Sequence, residues 1–381
     1  MKFVCLTTDR STAARRGMLT TPHGEIATPV FMPVGTQGSV KGMLPAELRS
    51  LGARIVLCNT YHLFLRPGAD VVERAGGLHG FMGWDGPILT DSGGYQVFSL
   101  SDFRTVSDDG VLFRSHLDGS EHLLTPELAI TIQEQLGSDI TMILDECPPF
   151  PASRDAVAGA VARTFAWAQR CMKRSRRPGQ ALFGIVQGGA HLDLREESLR
   201  GLLTLDFDGM AIGGISVGEP RSVQRQVVGH VAPRLPADRP RYLMGVGFPD
   251  DILDAIAAGI DLFDCVVPTR HGRNGSVFTR DGLINIRNAA FAEDFSPLDP
   301  GCVCPACTGF TRAYVRHTVL AREMVGVRLC TIHNLHFYFD LFARSRKAID
   351  KGCFDAFRNE FLTRFPRSPE GKSQPEGVEP A

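Results

Sequence analysis

Leu182-Phe183-Gly184-Ile185-Val186 leads into Gln187-Gly188-Gly189, the periodic segment Leu192–Leu203, a second apolar run Gly209-Met210-Ala211-Ile212, then Gly213-Gly214 and another periodic segment, Arg221–Val231. Short apolar runs alternating with helix-length amphipathic stretches predict parallel strands joined by crossover helices. The alternation extends both ways. Apolar runs recur at Arg54–Cys58, Pro87–Thr90, Ile140–Leu144, Tyr242–Met244 and Leu262–Phe263, with helical patterns at Pro126–Leu136, Arg154–Arg174 and Pro249–Ala258. The number of units favours a closed (β/α)8 TIM barrel over a doubly wound sheet. No G-x-G-x-x-G turn follows the first run, which argues against a dinucleotide fold. Between Asp264 and Leu320 the alternation breaks, which predicts an insertion carried by the barrel.

The expected organisation is one barrel domain over 1–365, with a zinc-binding subdomain at about 285–340. A disordered tail rich in Pro, Gly, Ser and Glu is expected over 366–381. Apolar residues make up 43% of the 381, enough for a full core, and formal charge is −1. Net charge therefore does not announce a nucleic-acid partner; any such binding needs local basic patches. No apolar run reaches the ~18 residues of a membrane span, and the N-terminus has no signal-peptide pattern. The ten cysteines are scattered except for Cys302, Cys304 and Cys307. That pattern predicts a reduced, cytoplasmic setting and a metal site rather than disulfides.

Nearly every apolar run ends on a residue able to do chemistry: Asn59, Asp91, Asp145, Gln187, Gly213-Gly214 and Asp264. In a barrel the strand C-termini converge on one mouth. A single Asp after a strand is as often a helix cap as a catalytic group. Here the sequences Asp91-Ser92-Gly93-Gly94, Asp145-Glu146-Cys147-Pro148 and Asp264-Cys265-Val266-Val267-Pro268 are poor helix starts. Two carboxylates at one mouth suit glycosyl transfer, one attacking an anomeric carbon and the other moving protons at the leaving group. A third can accept from the N–H edge of a guanine-like base, Gln187 offers donor and acceptor, and a glycine amide can approach a base carbonyl closely.

Cys302-x-Cys304-x2-Cys307 with a downstream histidine supplies four ligands, a closed tetrahedral shell for a structural Zn²⁺. On spacing alone either His333 or His336 completes it. Arg312, Arg316, Arg322 and Arg328 follow and suit either phosphates or a solvated helix face. Phe310, Tyr314 and His317 recur at helical spacing.

These motifs together resemble the bacterial tRNA-guanine transglycosylases of the queuine tRNA-ribosyltransferase family. Thr90-Asp91-Ser92-Gly93-Gly94-Tyr95-Gln96-Val97-Phe98 is similar to the family's T-D-S-G-G-[FY]-Q-V-F signature. Phe263-Asp264-Cys265-Val266 with Pro268-Thr269-Arg270-His271-Gly272-Arg273-Asn274-Gly275 resembles its nucleophile segment. Asp145-Glu146-Cys147, Gly184–Gly189 and Ala211–Gly214 resemble its base-binding segments, and Pro33–Gly38 and Asn59–Leu63 its opening motifs. The likeness spans about Pro29 to Phe361.

The resemblance implies Asp264 as the nucleophile on ribose C1′ and Asp91 as general acid/base. It implies a base site of Asp91, Ser92, Gly93, Gly94, Tyr95, Asp145, Cys147, Gln187, Gly214 and Met244, with Tyr95 and Met244 sandwiching the ring. RNA contacts are implied at Gly245, Val246, Gly247, Phe248, Pro249, Asp250 and Asp251, and at Thr269, Arg270, His271, Gly272 and Arg273. It selects Cys302, Cys304, Cys307 and His333 for zinc, one ion per subunit. It implies a homodimer with an aromatic cluster at Phe310, Tyr314 and His317. The substrates implied are the anticodon loop of G-U-N tRNAs and a 7-deazaguanine; Cys147 and Val217 favour the aminomethyl base, with Ser216 standing where many bacterial members have Ala.

Three other readings are weaker. A non-catalytic subunit of this fold is expected to lack strand-end acids, a zinc hydrolase needs an open coordination position, and an archaeal-type relative needs an added C-terminal RNA-binding domain.

Overall fold

The computed structural model describes residues 1–100, 103–174 and 177–366. The expected tail therefore lies, past Pro366, outside the described residues. Eight parallel strands close into a barrel in chain order: β1 (Val30–Gly35), β2 (Val56–Cys58), β3 (Ile88–Thr90), β4 (Ile140–Met142), β5 (Ala181–Val186), β6 (Gly209–Ile212), β7 (Arg241–Leu243) and β8 (Leu262–Cys265). β8 pairs back onto β1, from Leu262 opposite Val30 to Cys265 opposite Pro33. The apolar runs anticipate β2 through β8. They miss β1, because Pro33 removes a donor and makes Phe31-Met32-Pro33-Val34 read poorly as a strand. The strands are almost wholly buried, as a sheet covered on both faces requires.

Helices Pro126–Leu136, Arg154–Lys173, Leu192–Leu202, Arg221–Val231 and Pro249–Ala257 fall where periodicity placed them. Two starts are capped by side chains: Thr125 accepts from Leu128 N, with Pro126 in the first turn, and Ser153 accepts from Ala156 N.

A regular device stitches the barrel floor. Asp139, Asp208 and Asp261 stand just before β4, β6 and β8. Each accepts from a backbone N–H near the start of the preceding strand: Ile88 N at 2.9 Å, Leu182 N at 2.9 Å and Arg241 N at 2.8 Å. An antiparallel sheet of Lys2–Thr8, Arg15–Thr21 and Gly24–Thr28 covers this end. Its buried Arg15 donates from Nε to Asp261 Oδ1 at 3.1 Å and from Nη2 to Oδ2 at 2.5 Å. Acids at strand starts thus hold the fold, while those at strand ends are left for chemistry.

A second antiparallel sheet, Arg104–Val106, Val111–Arg114 and Glu121–Leu124, is inserted between β3 and β4. Past β8 come helix Val267–Arg273, the hairpin Ser276–Thr279 with Gly282–Asn285, and helices Pro305–Gly309 and Arg312–Leu320. The 27-residue helix Met324–Asp350 then returns over the barrel. Its Tyr338 and Phe342 rings lie 5.0 and 6.0 Å from Phe31 of β1, and Phe342 lies 5.4 Å from Phe263 of β8. The expected insertion is therefore the stretch between the last strand and the helix that covers it. It has a small core, including Val277, Ile286, Leu298 and Val315, completed by Cys330 of the long helix. Among the described residues no helix is long and apolar enough to cross a membrane.

Candidate active site and metal centre

The ends of β1, β2, β3, β5, β6, β7 and β8 open on one cavity of about 460 Å³, and the residues after β4 reach it too. Its wall brings together Asp91, Ser92, Tyr95, Asp145, Cys147, Gln187, Gly213, Gly214, Met244, Gly245 and Asp264. Gly93 and Gly94 are buried behind that wall. A Cβ on Gly93 (φ +81°) would lie 3.2 Å from Tyr61 N, and one on Gly94 2.8 Å from the Asp145 carbonyl. Both glycines are therefore needed for close packing.

Asp91 follows β3 and is fixed by four donors. Its Oδ1 accepts from Thr60 N at 2.8 Å and Gly93 N at 3.2 Å, and its Oδ2 from Asn59 Nδ2 at 2.5 Å and Gln96 Nε2 at 2.9 Å. Burial pushes its carboxyl up to about 6 against these hydrogen bonds, and the negative charge of Asp264 adds to the rise. Asp264 accepts at Oδ1 from Tyr242 Oη at 2.6 Å and Gly245 N at 2.9 Å. Burial raises its carboxyl as well. Asp145 accepts from Gln187 Nε2 at 2.6 Å and Ser92 Oγ at 3.1 Å, and burial pushes it up to about 6. Gln187 Oε1 is buried with no partner.

None of the three acids caps a following helix through its own side chain. Two local expectations are corrected: helix Gly94–Leu100 begins three residues past Asp91 and helix Val267–Arg273 three residues past Asp264, the second with Pro268 in its first turn, where Pro needs no N–H partner.

Sequence reasoning missed several residues here. Tyr242 reads as one more apolar strand residue, yet a buried phenol needs a partner and finds Asp264. His62 and His116 line the cavity, and His62 is pushed down to about 4 by burial, then by His116 and Lys41. Glu219 accepts from Ser216 N at 2.5 Å and Val217 N at 2.9 Å. Ser216 Oγ is occupied by Gln224 Nε2 at 2.6 Å. Arg195 is fully buried behind the Gly213-Gly214 turn. Its position on an amphipathic helix gave no signal.

The two segments expected to face RNA are only partly at the mouth. Arg270, His271 and Arg273 line the cavity with Thr269. Gly272 instead meets the long helix, where a Cβ would lie 2.8 Å from Thr331 N. In the other segment Val246, Gly247, Pro249, Asp250 and Asp251 are buried. Arg221 holds Asp250 Oδ1 at 2.8 Å and Asp251 Oδ2 through Nε at 2.7 Å, and Arg225 reaches Asp251 at 3.2 Å. Phe248 lies between the Arg221 guanidinium, 4.9 Å from its ring, and His271, at 5.8 Å. The two segments are thereby tied together.

Cys302, Cys304, Cys307 and His333 present ligand atoms all within 4.8 Å of one another. The His333 Nδ1 to Sγ separations are 3.7, 3.5 and 3.2 Å. A tetrahedral zinc shell of thiolates and an imidazole has N···S edges of about 3.6 Å, so the donors fit a four-coordinate ion. His333 Nε2 bonds the Phe278 carbonyl at 2.6 Å, which fixes the ring with Nδ1 turned to the thiols. His336, the alternative by spacing, reaches only Cys302, at 3.6 Å.

Of the arginines after the cluster, Arg312 bonds Asp294 and the Leu298 carbonyl, Arg316 the Asn288 carbonyl, and Arg328 Glu47 and the Gly42 carbonyl. The first two hold the segment together, and Arg328 ties the long helix to the stretch after β1. Phe310 and Tyr314 stack at 5.2 Å and remain partly exposed.

A family model described as queuine tRNA-ribosyltransferase matches residues 9–367. A queuine tRNA-ribosyltransferase of Desulforudis audaxviator is 57% identical over 361 residues, 94% of this chain and 97% of the relative. Relatives with the same name from Pelotomaculum thermopropionicum and Geobacillus kaustophilus are 55% and 54% identical, over 96% and 95% of this chain and 99% and 96% of their own lengths. A barrel whose strand-end acids share one cavity, beside a Cys3His cluster, agrees with a match over nearly the whole sequence, and the chain belongs to the queuine tRNA-ribosyltransferase family.

Proposed function

We propose that this chain is a tRNA-guanine transglycosylase. It exchanges guanine at the wobble position of G-U-N tRNAs (those for Asp, Asn, His and Tyr) for 7-aminomethyl-7-deazaguanine, a step of queuosine biosynthesis in the cytoplasm. The observation that carries this reading is the shared cavity of Asp91 and Asp264, where the charge of one raises the carboxyl of the other.

Asp264 attacks ribose C1′ as a carboxylate. The C1′–N9 bond breaks and its electron pair goes to N9 of guanine, which Asp91 protonates. A carboxyl held at about 6 keeps a useful protonated fraction near neutral pH. The incoming base loses its N9 proton to Asp91, attacks C1′ and releases Asp264, so the order is ping-pong. Tyr242 and Gly245 N hold Oδ1 of Asp264 and orient the attacking group.

The base edge meets Asp145, the unpartnered Gln187 Oε1 and the Gly214 amide, with Tyr95 and Met244 on the ring faces and Cys147 beside it. Entry requires the nucleotide to leave its stack. Because Glu219 takes the Ser216 N–H, the carbonyl of the same trans peptide, that of Ile215, is turned the opposite way. A carbonyl on this wall suits an ammonium group, which supports the aminomethyl base.

Arg270, His271 and Arg273 meet RNA around the exchanged nucleotide, and the Gly245–Asp251 segment adds contacts from its backbone and Phe248. Zn²⁺ held by Cys302, Cys304, Cys307 and His333 locks the segment after β8 structurally, within one barrel domain over 1–365. The exposed Phe310–Tyr314 stack, with His317, receives a second copy of the chain. Asp264→Asn is expected to abolish covalent capture of tRNA with zinc content unchanged; retained base exchange by that variant overturns the nucleophile assignment.

A further inference from the structure

Arg195 is fully buried, and among the described residues no carboxylate bonds it. Its guanidinium bonds backbone carbonyls instead: Nε to Gly189 at 2.9 Å, Nη1 to Val186 at 2.8 Å and Gly213 at 2.6 Å, and Nη2 to Gly214 at 2.9 Å. A buried cation whose counter-charge, Glu219, stands beyond ion-pair contact is costly. Burial pushes it down to about 10, which still leaves it charged at neutral pH. A neutral side-chain amide has two N–H donors and could not meet all four carbonyls, so the guanidinium holds this turn and sets its charge against it at the same time.

The use follows from which peptide it grips. The shortest of the four bonds is to the Gly213 carbonyl. That carbonyl belongs to the same peptide group as the Gly214 N–H, which faces the cavity beside the Cys147 thiol. A cation bonded to the oxygen of a peptide withdraws electron density through it and makes its N–H a stronger donor. Gly214 adopts φ +61°, and a Cβ there would lie 2.1 Å from Gln187 Oε1, so only glycine presents the amide at this distance.

We propose that Arg195 is a positioning residue that polarises the Gly213–Gly214 peptide so that the Gly214 N–H stabilises the negative charge developing on the departing purine. As C1′–N9 breaks, the electron pair spreads through the ring onto the base carbonyl oxygen, the atom the Gly214 N–H meets. The bond thus strengthens between bound substrate and transition state, which is how a donor raises kcat rather than tightening binding. The proposal rests on the base-exchange reading above.

The test compares wild type, Arg195→Ala and Arg195→Gln for incorporation of labelled guanine into unmodified tRNA, with thermal melting as the fold control. The expected result for Arg195→Ala is a kcat lower by about tenfold or more with KM for tRNA little changed. Added guanidinium at millimolar concentration is expected to restore part of the rate by refilling the gap. Wild-type kcat in Arg195→Ala, or a loss carried wholly by KM and not rescued by guanidinium, overturns the proposal. If the Ala variant does not fold, Arg195→Gln, which keeps N–H donors and removes the charge, decides: a lower kcat at unchanged KM supports the role, and a wild-type kcat overturns it. A wild-type chain that neither exchanges guanine nor traps tRNA refutes the base-exchange reading itself, so the two failures are distinguishable.

Discussion

Each acid at the barrel mouth is held where it is costly to charge. Asp145 is the plainest case, buried, hydrogen-bonded to Gln187 and Ser92, and pushed from 3.8 to about 6. A carboxyl raised in the folded state contributes its full share of stability below its unfolded value, and that share is lost as pH rises through the folded value. The window is therefore about pH 4 to 6, and the ceiling on the loss is about 3 kcal/mol. Asp145→Asn is expected to melt above wild type at pH 8, with the advantage shrinking toward pH 5 and base exchange lost throughout. Melting curves of both proteins across that range check it; an advantage that grows toward pH 5 has the wrong sign. The position of these acids was legible in the sequence, because each follows an apolar run, whereas the expectation that no helix starts nearby failed after Asp91 and Asp264. Their partners Tyr242, Gln96 and Asn59 come from other strand ends or from the next turn, and only folding supplies them.

At the scale of elements, helix Met324–Asp350 serves two masters. His333 faces the cysteines while Tyr338 and Phe342 pack on β1 and β8. The Cys3His cluster and barrel closure are thus mechanically joined. Cys304→Ser is expected to lower zinc content and the melting temperature together; a fully metallated variant of wild-type stability refutes a structural ion. The helix also explains Gly272, which resembles part of an RNA-contact motif but meets Thr331 with no room for a Cβ. Gly272→Ala should cost about 1–3 kcal/mol through overpacking, read by thermal denaturation. A neutral result there would mean the two helices can separate freely. The segment Gly245–Asp251 teaches the same caution, since Asp250 and Asp251 are held by Arg221 and face inward.

For the whole molecule, the barrel separates stability from function by end. Its floor is stitched by Asp139, Asp208 and Asp261 and covered by the N-terminal sheet; its mouth carries the acids with raised carboxyls. Asp261 is the keystone, because it bonds Arg15 of the covering sheet and Arg241 N of β7 at once. Asp261→Ala strands the Arg15 cation in the interior and should cost about 3–5 kcal/mol. Equilibrium denaturation measures this, and a loss no larger than that of an exposed substitution would show that the sheet is not anchored there.

The sequence by itself determined the alternation of strand and helix, seven of the eight barrel strands, the acids at their ends and the cysteine cluster. All of these are local: periodicity, a residue type after an apolar run, a short spacing. The tertiary structure alone decided that β1 closes the ring through a strand containing Pro33 and that Arg195 and Tyr242 stand behind the mouth; between His333 and His336, which spacing left open and the family resemblance resolved, it turns His333 to all three cysteines. Each of those depends on which distant segments are brought together, because a strand is completed by its neighbour's hydrogen bonds and a buried polar group by whatever partner the fold delivers.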